Sequence, residues 1–384
     1  MRVSMISAAL VAALVGYGCT IALVLAAAHA VAATSAQTAS WVLAICLAKA
    51  AGSAALSVRL RVPVVLAWST PGAALIAATH GITMPQAVAA FLLAGALIAL
   101  TGAITPFGQL IGKIPDAIAA AMLAGVLLPF CLEGMAGAGT LGGAALAIGV
   151  VFALTRLVNP ALAVLAALAA GLIAAFGTGG VVFPSLTLPL PTLTLIAPEF
   201  RPDSLIGLGL PLYLVTMASQ NLPGFATLRA AGYTPPTAPA LITTGLLSAA
   251  AAFFGAHTIS MAAITAAICL GDDVHPDRDQ RWKVGVAYAG VWVLLGLLGP
   301  VIVTLLQAMP GQILTLLIGL ALLGPLTGAL NAAFAPAASR FPATITLTVT
   351  ASGVALFGVG AAFWGLIAGL AMLTLEVQAK RLKS

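Results

Sequence analysis

Charge is scarce in this sequence. Only 6% of its 384 residues are charged, whereas 62% are hydrophobic, and the mean hydropathy is +1.17. In soluble domains roughly a quarter of the residues are charged, so this chain has too few charges to cover a surface that faces water. The scarcity excludes a soluble enzyme or binding module, and it predicts an integral membrane protein.

The few charges are also unevenly spaced. Long intervals without Asp, Glu, Lys or Arg lie between Arg2 and Lys49, Arg61 and Lys113, Arg229 and Asp272, and Lys283 and Arg340. Each interval has room for two or more helical spans of about 20 residues. A transmembrane β-barrel needs alternating polar residues to line its lumen, and these intervals lack them. The sequence therefore predicts helical spans.

Cysteine is also rare. The cysteines lie in apolar runs with no spacing typical of a metal site, so we interpret them as small core residues; they are Cys19, Cys46, Cys131 and Cys269. The net charge of +6 does not indicate a nucleic-acid partner, because the basic residues are scattered at the ends of apolar runs. The apolar N-terminus lacks a clear cleavage site, which favours a first span over a signal peptide.

Helix breakers and charges divide the chain into about fourteen predicted spans. They cover residues 5–29, 38–57, 62–79, 85–104, 115–135, 139–157, 160–176, 204–229, 237–254, 257–271, 283–307, 311–332, 341–356 and 358–377. With the N-terminus in the cytoplasm, almost all Lys and Arg residues at span ends fall on the cytoplasmic side, as the positive-inside rule requires. Arg201 falls outside and Lys49 within a span. We expect a multi-pass protein of the inner (plasma) membrane with both termini in the cytoplasm.

A stretch rich in Pro and β-branched residues follows the seventh span and divides the chain. We expect residues 1–176 to form a first half of seven spans, residues 177–203 an extracytoplasmic linker, and residues 204–384 a second half. Two halves with odd numbers of spans have opposite topologies. This is the inverted repeat of many secondary transporters.

The third span of each half is interrupted. In the first half an extended run leads to Ser69, Thr70 and Pro71, which predict an N-cap followed by a proline in the first helical turn. In the second half Gly255 precedes a short extended piece, with Ser260 as the predicted cap. Half helices that begin inside a membrane present free N–H groups and partial positive charge, which suit an anion. Ordinary kinked helices are the alternative.

Several motifs resemble the benzoate/proton symporter family, the BenE type. They are ASQNLPGFATLRAAGYTPP from Ala218, AWSTPGAAL from Ala67, GAHTISMAAITAAICLG from Gly255 and GDDVHPDRDQRW from Gly271. The resemblance covers essentially the whole chain, and the first motif is quite specific. It implies the fold shared by uracil permeases and sulfate-type anion transporters.

That fold is an all-α polytopic membrane protein with about fourteen spans in two inverted halves. Spans three and ten carry short strands that lead into half helices. The resemblance implies a core domain from spans 1–4 and 8–11, a gate domain from spans 5–7 and 12–14, and a substrate that lies between the half helices beside span eight.

Gln220 and Asn221 occupy the place where uracil-type relatives carry a substrate-binding carboxylate on span eight, and their neighbour Ser219 is a further candidate for substrate binding. An amide in place of an acid fits an anionic substrate, which a buried carboxylate would repel. The resemblance therefore implies that these amides donate hydrogen bonds to a substrate carboxylate. Bridging between membrane helices is the alternative role for the amides.

Other candidates line the starts of the half helices. The predicted substrate-binding residues there are Ser69, Thr70, Gly72, His257, Thr258 and Ser260, with Tyr17 and Trp68 as an aromatic wall. His257 is also the first candidate for proton coupling, because histidine titrates near neutral pH. Lys49 is the second, since an ammonium inside a span costs roughly 2.5–3.5 kcal/mol on insertion scales. Capping, packing, lipid-interface and snorkelling roles are the alternatives.

These features predict proton-coupled uptake of benzoate or a similar aromatic carboxylate by alternating access, with no cofactor and no metal. The carboxylates outside the acidic loop map near the membrane faces and none is predicted at mid-span, so the usual carboxylate of a proton relay is missing. Transport of another small anion or of a nucleobase is an alternative, and a passive channel is another. Related folds are often dimeric, but nothing in the sequence indicates an interface.

A membrane enzyme is the alternative of a different class. It would use an acidic loop as a metal site; the loop contains Asp272, Asp273, His275, Asp277 and Asp279. Such an enzyme needs a second acidic motif, which is absent. A solvated loop with salt bridges to Arg278, Arg281 and Lys283 is the simpler interpretation.

Overall fold

A computed structural model describes residues 2–18, 20–104, 115–160, 162–177, 191–262, 264–272, 274–357 and 359–383. Within these residues the chain forms a helical, multi-pass membrane fold. Seven helices are long and apolar enough to cross a membrane, or up to eight if one bent pair counts as a single span. Shorter apolar helices complete the fold, and the predicted class of helical membrane protein is confirmed.

Residues up to 177 form the following elements: α1 (Val3–Gly18), α2 (Ile21–Ala30), α3 (Ser35–Leu60), β1 (Leu66–Trp68), α4 (Thr70–Ala77), α5 (Met84–Ala103), α6 (Asp116–Leu141), α7 (Gly143–Val158) and α8 (Ala163–Gly177). Residues from 202 form α9 (Pro202–Ala230), α10 (Thr237–Ala252), β2 (Ile259–Met261), α11 (Ile264–Leu270), α12 (Lys283–Leu297), α13 (Gly299–Gln307), α14 (Gly311–Phe334), α15 (Arg340–Ala351) and α16 (Ala361–Lys383). Short 3₁₀ turns lie at Arg278–Gln280 and Ala337–Ser339.

One span predicted as a single helix is broken. The first predicted span agrees with a candidate span over Val3–Ala30, within which α1 ends at Gly18 and α2 begins at Ile21. The span predicted at 283–307 consists of α12 and α13, which are bent by 54°, and Pro300 lies in the first turn of α13. A proline lacks the N–H of a helical residue and clashes with the preceding turn. A second difference is that α6 runs to Leu141, six residues beyond the predicted end of that span, and Glu133 is exposed on this helix.

Glycines let pairs of helices pack with their backbones in contact. In α5, a Cβ on Gly95 would lie 2.7 Å from the backbone nitrogen of Ala249 and 2.9 Å from the carbonyl oxygen of Gly245, both in α10. Between α6 and α14, a Cβ on Gly134 would lie 2.9 Å from the Cα of Gly319. In lipid, such close packing of small residues is a main source of helix association. Similar extended packing joins α3 to α12, α7 to α8, and α15 to α16.

The two strands meet in the interior and join the two parts of the chain. They pair antiparallel, with Leu66 opposite Met261, Ala67 opposite Ser260 and Trp68 opposite Ile259. One short helix follows each strand: α4 begins at Thr70, and α11 begins at Ile264. The predicted short strands leading into half helices are therefore present in both interrupted segments.

Candidate substrate site

The start of α4 has the cap that the sequence predicts. The Ser69 Oγ accepts a hydrogen bond from the Gly72 N–H at 3.1 Å, and Pro71 lies in the first turn. A Cβ on Gly72 would lie 2.8 Å from the Ser69 Oγ and 2.6 Å from a methyl carbon of Leu212. Gly72 therefore lets α9 approach the first turn of α4. The Thr70 hydroxyl is hydrogen-bonded at 2.9 Å to that of Thr20, in the break between α1 and α2.

Thr216 of α9 joins the two strand–helix units. Its hydroxyl donates to the Ser69 Oγ at 3.0 Å and lies 2.8 Å from the Thr258 Oγ1, and all three side chains are buried. Because Thr216 has only one hydroxyl proton, Thr258 is the donor to Thr216. Ser69 thus accepts from both Thr216 and Gly72, and no acceptor for its own proton lies among the described residues. Thr216 was not predicted, because one threonine in an apolar run carries no local signal.

The polar segment Ser219–Asn221 of α9 lies in a π-helical turn, Met217–Asn221. Pro223 follows two residues later, and the same combination occurs upstream, where Pro211 follows a π turn at Leu205–Gly209. A proline ring clashes with the carbonyl four residues before it, and the wider turn accommodates that clash. The helix therefore continues past Pro223 as far as Ala230.

The two neighbouring amides have different surroundings. Asn221 is fully buried; its Oδ1 accepts the backbone N–H of Met261 at 2.9 Å, and its Nδ2 lies 3.3 Å from the sulfur of Met217. Asn221 therefore fastens β2 to α9. Gln220 is half-buried and has no hydrogen-bond partner among the described residues, and the same is true of Ser219. Of the two amides, Gln220 is therefore the one whose side chain is left unpaired by the described residues.

His257 has both ring nitrogens engaged. Trp41 of α3 donates its indole N–H to Nδ1 at 2.9 Å, and Nε2 lies 3.2 Å from the Ser69 carbonyl oxygen. Because an indole N–H can only donate, Nδ1 is the acceptor and Nε2 carries the proton. In this arrangement His257 is a neutral bridge between α3 and the cap of α4. A role in carrying protons requires the bond to Trp41 to break.

The structure corrects the role predicted for Ser260. It lies in β2 rather than at a helix start, and its hydroxyl is 3.4 Å from the carbonyl oxygen of Ala67. The extended segment runs past Ser260, and α11 begins only at Ile264. Ser260 therefore faces the strand ladder and does not cap α11.

Lys49 is buried against a cluster of aromatic rings, which we call the aromatic box. The box consists of Tyr17, Trp68, Tyr288 and Trp292. The Lys49 Nζ lies 2.9 Å from the ring centroid of Trp292 and 4.4 Å from that of Trp68. The ring of Tyr17 lies 5.4 Å from that of Trp68 and 5.8 Å from that of Trp292. The predicted aromatic wall of Tyr17 and Trp68 is thus brought together with Lys49, whereas Trp292 and Tyr288 were not predicted.

The acidic loop is organised by Arg281. Its buried guanidinium pairs with Asp272 and donates to the carbonyl oxygens of Leu270 at 2.9 Å and His275 at 2.7 Å. Asp277 accepts the N–H of Asp279 at 2.9 Å. These carboxylates serve the loop's own structure, as the simpler interpretation expects. Asp273 lies outside the described residues, as does Cys19; the other cysteines are buried and free.

A helical membrane core with two paired strand–helix units and a buried polar centre defines a membrane transporter. The family model described as benzoate membrane transport protein matches residues 1–375. The chain therefore belongs to the benzoate membrane transport family, as its motifs suggest. A family of membrane transporters also confirms that the chain is not an enzyme.

Two relatives agree with this assignment. The chain is 42% identical over 367 residues to the inner membrane protein YdcO of Escherichia coli strain K12, covering 94% of this chain and 93% of YdcO. It is 36% identical over 332 residues to the benzoate membrane transport protein of Acinetobacter baylyi, covering 86% of this chain and 84% of that protein. These relatives and the several membrane-spanning helices show that the protein is a multi-pass membrane protein.

The fold is similar to that of solved anion transporters. The transmembrane domain of the cyanobacterial bicarbonate transporter BicA matches with a TM-score of 0.58 and 13% identity, covering 99% of this chain and 98% of that domain. SLC26A9 matches with a TM-score of 0.63 and 14% identity, covering 97% of this chain and 65% of that protein. At such low identity the likeness shows the fold alone.

Proposed function

We propose that this protein is a secondary active transporter that takes up benzoate, or a similar aromatic carboxylate, together with a proton. Membership of the benzoate membrane transport family supports the substrate class. The observation that carries the proposal is the meeting of Ser69, Thr216 and Thr258, where the cap of α4, the entry to β2 and the residue before the π turn of α9 come together. In this proposal the substrate lies there, beside Gln220 and the aromatic box.

Coupling to a proton follows from the electrical work of uptake. Moving one anion into a cell that is negative inside costs about 2.3 kcal/mol per 100 mV. A proton that travels with the carboxylate cancels this charge, and the pH gradient then drives uptake. Membership of the family thus supports a carboxylate as the substrate, and the electrical work of uptake supports its coupling to a proton.

We also propose that the two halves, 1–176 and 204–384, are related by an approximate two-fold axis as an inverted repeat. The packing of α3 on α12 then corresponds to that of α10 on α5, and the α7–α8 pair corresponds to α15–α16. The antiparallel pair of β1 and β2 lies on the axis. This correspondence supports a core domain of spans 1–4 and 8–11 that rocks against a gate domain of spans 5–7 and 12–14. Both termini are cytoplasmic in this proposal.

Uptake of another small anion or of a nucleobase is the second candidate. It is a candidate because the fold alone, which is similar to that of a protein described as a bicarbonate transporter, does not specify the substrate. Electrostatics at the site favour an anion over a neutral nucleobase, because Lys49 is a buried basic group and no acidic side chain is buried among the described residues. An aromatic carboxylate also matches the rings beside Lys49.

The test is uptake of labelled benzoate by purified protein in proteoliposomes. We expect accumulation when the outside is acidic and collapse of that accumulation with a protonophore. Bicarbonate, acetate and uracil serve as competitors at equal concentration, and unlabelled benzoate is the positive control. If bicarbonate, acetate or uracil competes more strongly than unlabelled benzoate, the second candidate is favoured. A benzoate flux that does not depend on the pH gradient would favour a passive channel.

A further inference from the structure

Lys49 is a buried basic group that has no acidic partner in the part of the chain that the structure describes. Among the described residues, the buried charged side chains are Lys49 and Arg281. Arg281 pairs with Asp272, whereas Lys49 makes no hydrogen bond or ion pair with any described residue and contacts the rings of Trp68 and Trp292. An unpaired ionisable residue inside a membrane is costly and marks a functional site by default.

Two more donors lie in the aromatic box. The Tyr17 hydroxyl is buried without a hydrogen-bond partner in the described part of the chain, and the Trp292 indole N–H interacts with the Tyr288 hydroxyl without forming a hydrogen bond of good geometry. The Lys49 amine, the Tyr17 phenol and the indole can all donate hydrogen bonds. The box therefore concentrates donors around Lys49, and no buried carboxylate lies among the described residues to accept from them. A carboxylate supplies two oxygens with several lone pairs.

The box also lies between the two half helices. Trp68 immediately precedes Ser69, the cap of α4. On the other side, a Cβ on Gly16, the neighbour of Tyr17, would lie 3.4 Å from the Thr265 side chain in the first turn of α11 and 3.5 Å from Trp292. The donors of the box therefore lie where the proposed function puts the substrate.

We propose that the aromatic box binds the carboxylate group of the substrate and that Lys49 carries the transported proton. This inference rests on the proposed function. In the unloaded protein Lys49 is an uncharged amine. It takes one proton from water on the outer side as the carboxylate enters, and the ammonium and the carboxylate form a pair with no net charge. On the cytoplasmic side the carboxylate leaves, and the ammonium releases its proton to water.

The other titratable groups around Lys49 are less suited to this role. Cys46 lies one turn earlier on α3 and His257 precedes β2, and both interact electrostatically with Lys49. His257 has both nitrogens engaged, and the Tyr288 hydroxyl donates to the Leu66 carbonyl oxygen at 3.0 Å. Tyr17 and the Cys46 thiol become anions when they lose a proton, so neither supplies the positive charge that a carboxylate needs.

Calorimetry of benzoate binding to the purified full-length protein tests the inference. Titrations in two buffers of different ionisation enthalpy give the number of protons taken up per benzoate bound. We expect about one proton for the wild type and none for Lys49→Arg, because the guanidinium is always charged. Lys49→Gln lowers benzoate affinity by about tenfold or more. Lys283→Arg, next to Trp282, is the matched control and behaves like the wild type.

Two outcomes overturn the inference. One is proton uptake by Lys49→Arg equal to that of the wild type, and the other is wild-type affinity in Lys49→Gln. If Lys49 variants fail to fold, Trp292→Phe replaces them; it keeps an aromatic ring and removes the indole N–H, and an unchanged benzoate affinity then overturns the carboxylate assignment. A wild-type protein that neither binds nor transports benzoate overturns the proposed function itself, and the inference with it.

Discussion

Asn221 accepts the backbone N–H of Met261 at 2.9 Å and thereby fastens the second strand to α9. Its neighbour Gln220 is half-buried and has no partner among the described residues. Two adjacent amides of the same motif therefore serve different purposes. One holds the frame of the site, and the other is available to a ligand.

The first prediction separates these purposes. Asn221→Ala leaves the buried N–H of Met261 without an acceptor, which costs about 1–3 kcal/mol, so its melting temperature should fall clearly. Gln220→Ala should melt like the wild type but bind benzoate more weakly. Thermal unfolding and labelled-benzoate binding measure the two effects. Asn331→Ala, at an exposed position of α14, is the control, and equal melting temperatures for the Asn221 and Gln220 variants would contradict the assignment.

The second prediction concerns the unpaired hydroxyl of Tyr17. Tyr17→Phe removes a buried hydroxyl that has no partner in the described residues, so the empty protein should be as stable as the wild type or more stable. Benzoate affinity should fall about tenfold, because a hydrogen bond to a charged group is lost. Tyr213→Phe should behave in the opposite way, since the Tyr213 hydroxyl lies 2.6 Å from that of Thr101. Its stability should fall while its affinity stays unchanged. An unaltered affinity in Tyr17→Phe would remove this hydroxyl from the site.

The third prediction concerns the hydroxyl of Thr216. Thr216→Val keeps the shape of the side chain but removes the link between Ser69 and Thr258. We expect the initial rate of benzoate uptake in proteoliposomes to fall about tenfold. Thr216→Ser keeps a hydroxyl and should retain most of the rate. Wild-type rates in the valine variant would show that the link is dispensable for transport.

The fourth prediction concerns the contact between α4 and α9. In Gly72→Ala the new methyl group would lie 2.6 Å from Leu212 and 2.8 Å from the Ser69 Oγ, so α9 must shift and both stability and uptake should fall. Gly137→Ala in α6 meets nothing within 4 Å and should be neutral or slightly stabilising. Trimming Leu212 to alanine in the Gly72→Ala background should recover part of the uptake. Melting curves and uptake rates check both variants, and a neutral Gly72→Ala would count against close packing at this point.

Much of the frame could be predicted because its signals are local. Ser69 and Pro71 predict the start of α4 from neighbouring residues alone, without knowledge of what the helix packs against. Long uncharged runs likewise predict membrane-spanning helices. The extended segment before each half helix is predicted by β-branched residues or by a glycine. These signals gave the membrane class, both strand–helix units and the cap at Ser69.

The partners across the site could not be predicted in the same way. Trp292 meets Lys49 only because α12 packs along α3, and nothing in the apolar run around Trp292 reveals which face it presents. The same holds for Thr216, which bonds to residues far away in the sequence. Ser260 was misassigned because an extended segment gives no local signal of where it ends. The bend at Pro300 was missed because the run around it is otherwise uniformly apolar.

The pairing of β1 with β2 is made by main-chain atoms, so it does not depend on which side chains the strands carry. Substitutions at Trp68, Ile259 or Ser260 can alter the chemistry of the centre while the two halves stay joined in the same register. Because the main chain alone sets this register, very different sequences can form the same frame, and solved structures with only 13–14% identity share the fold.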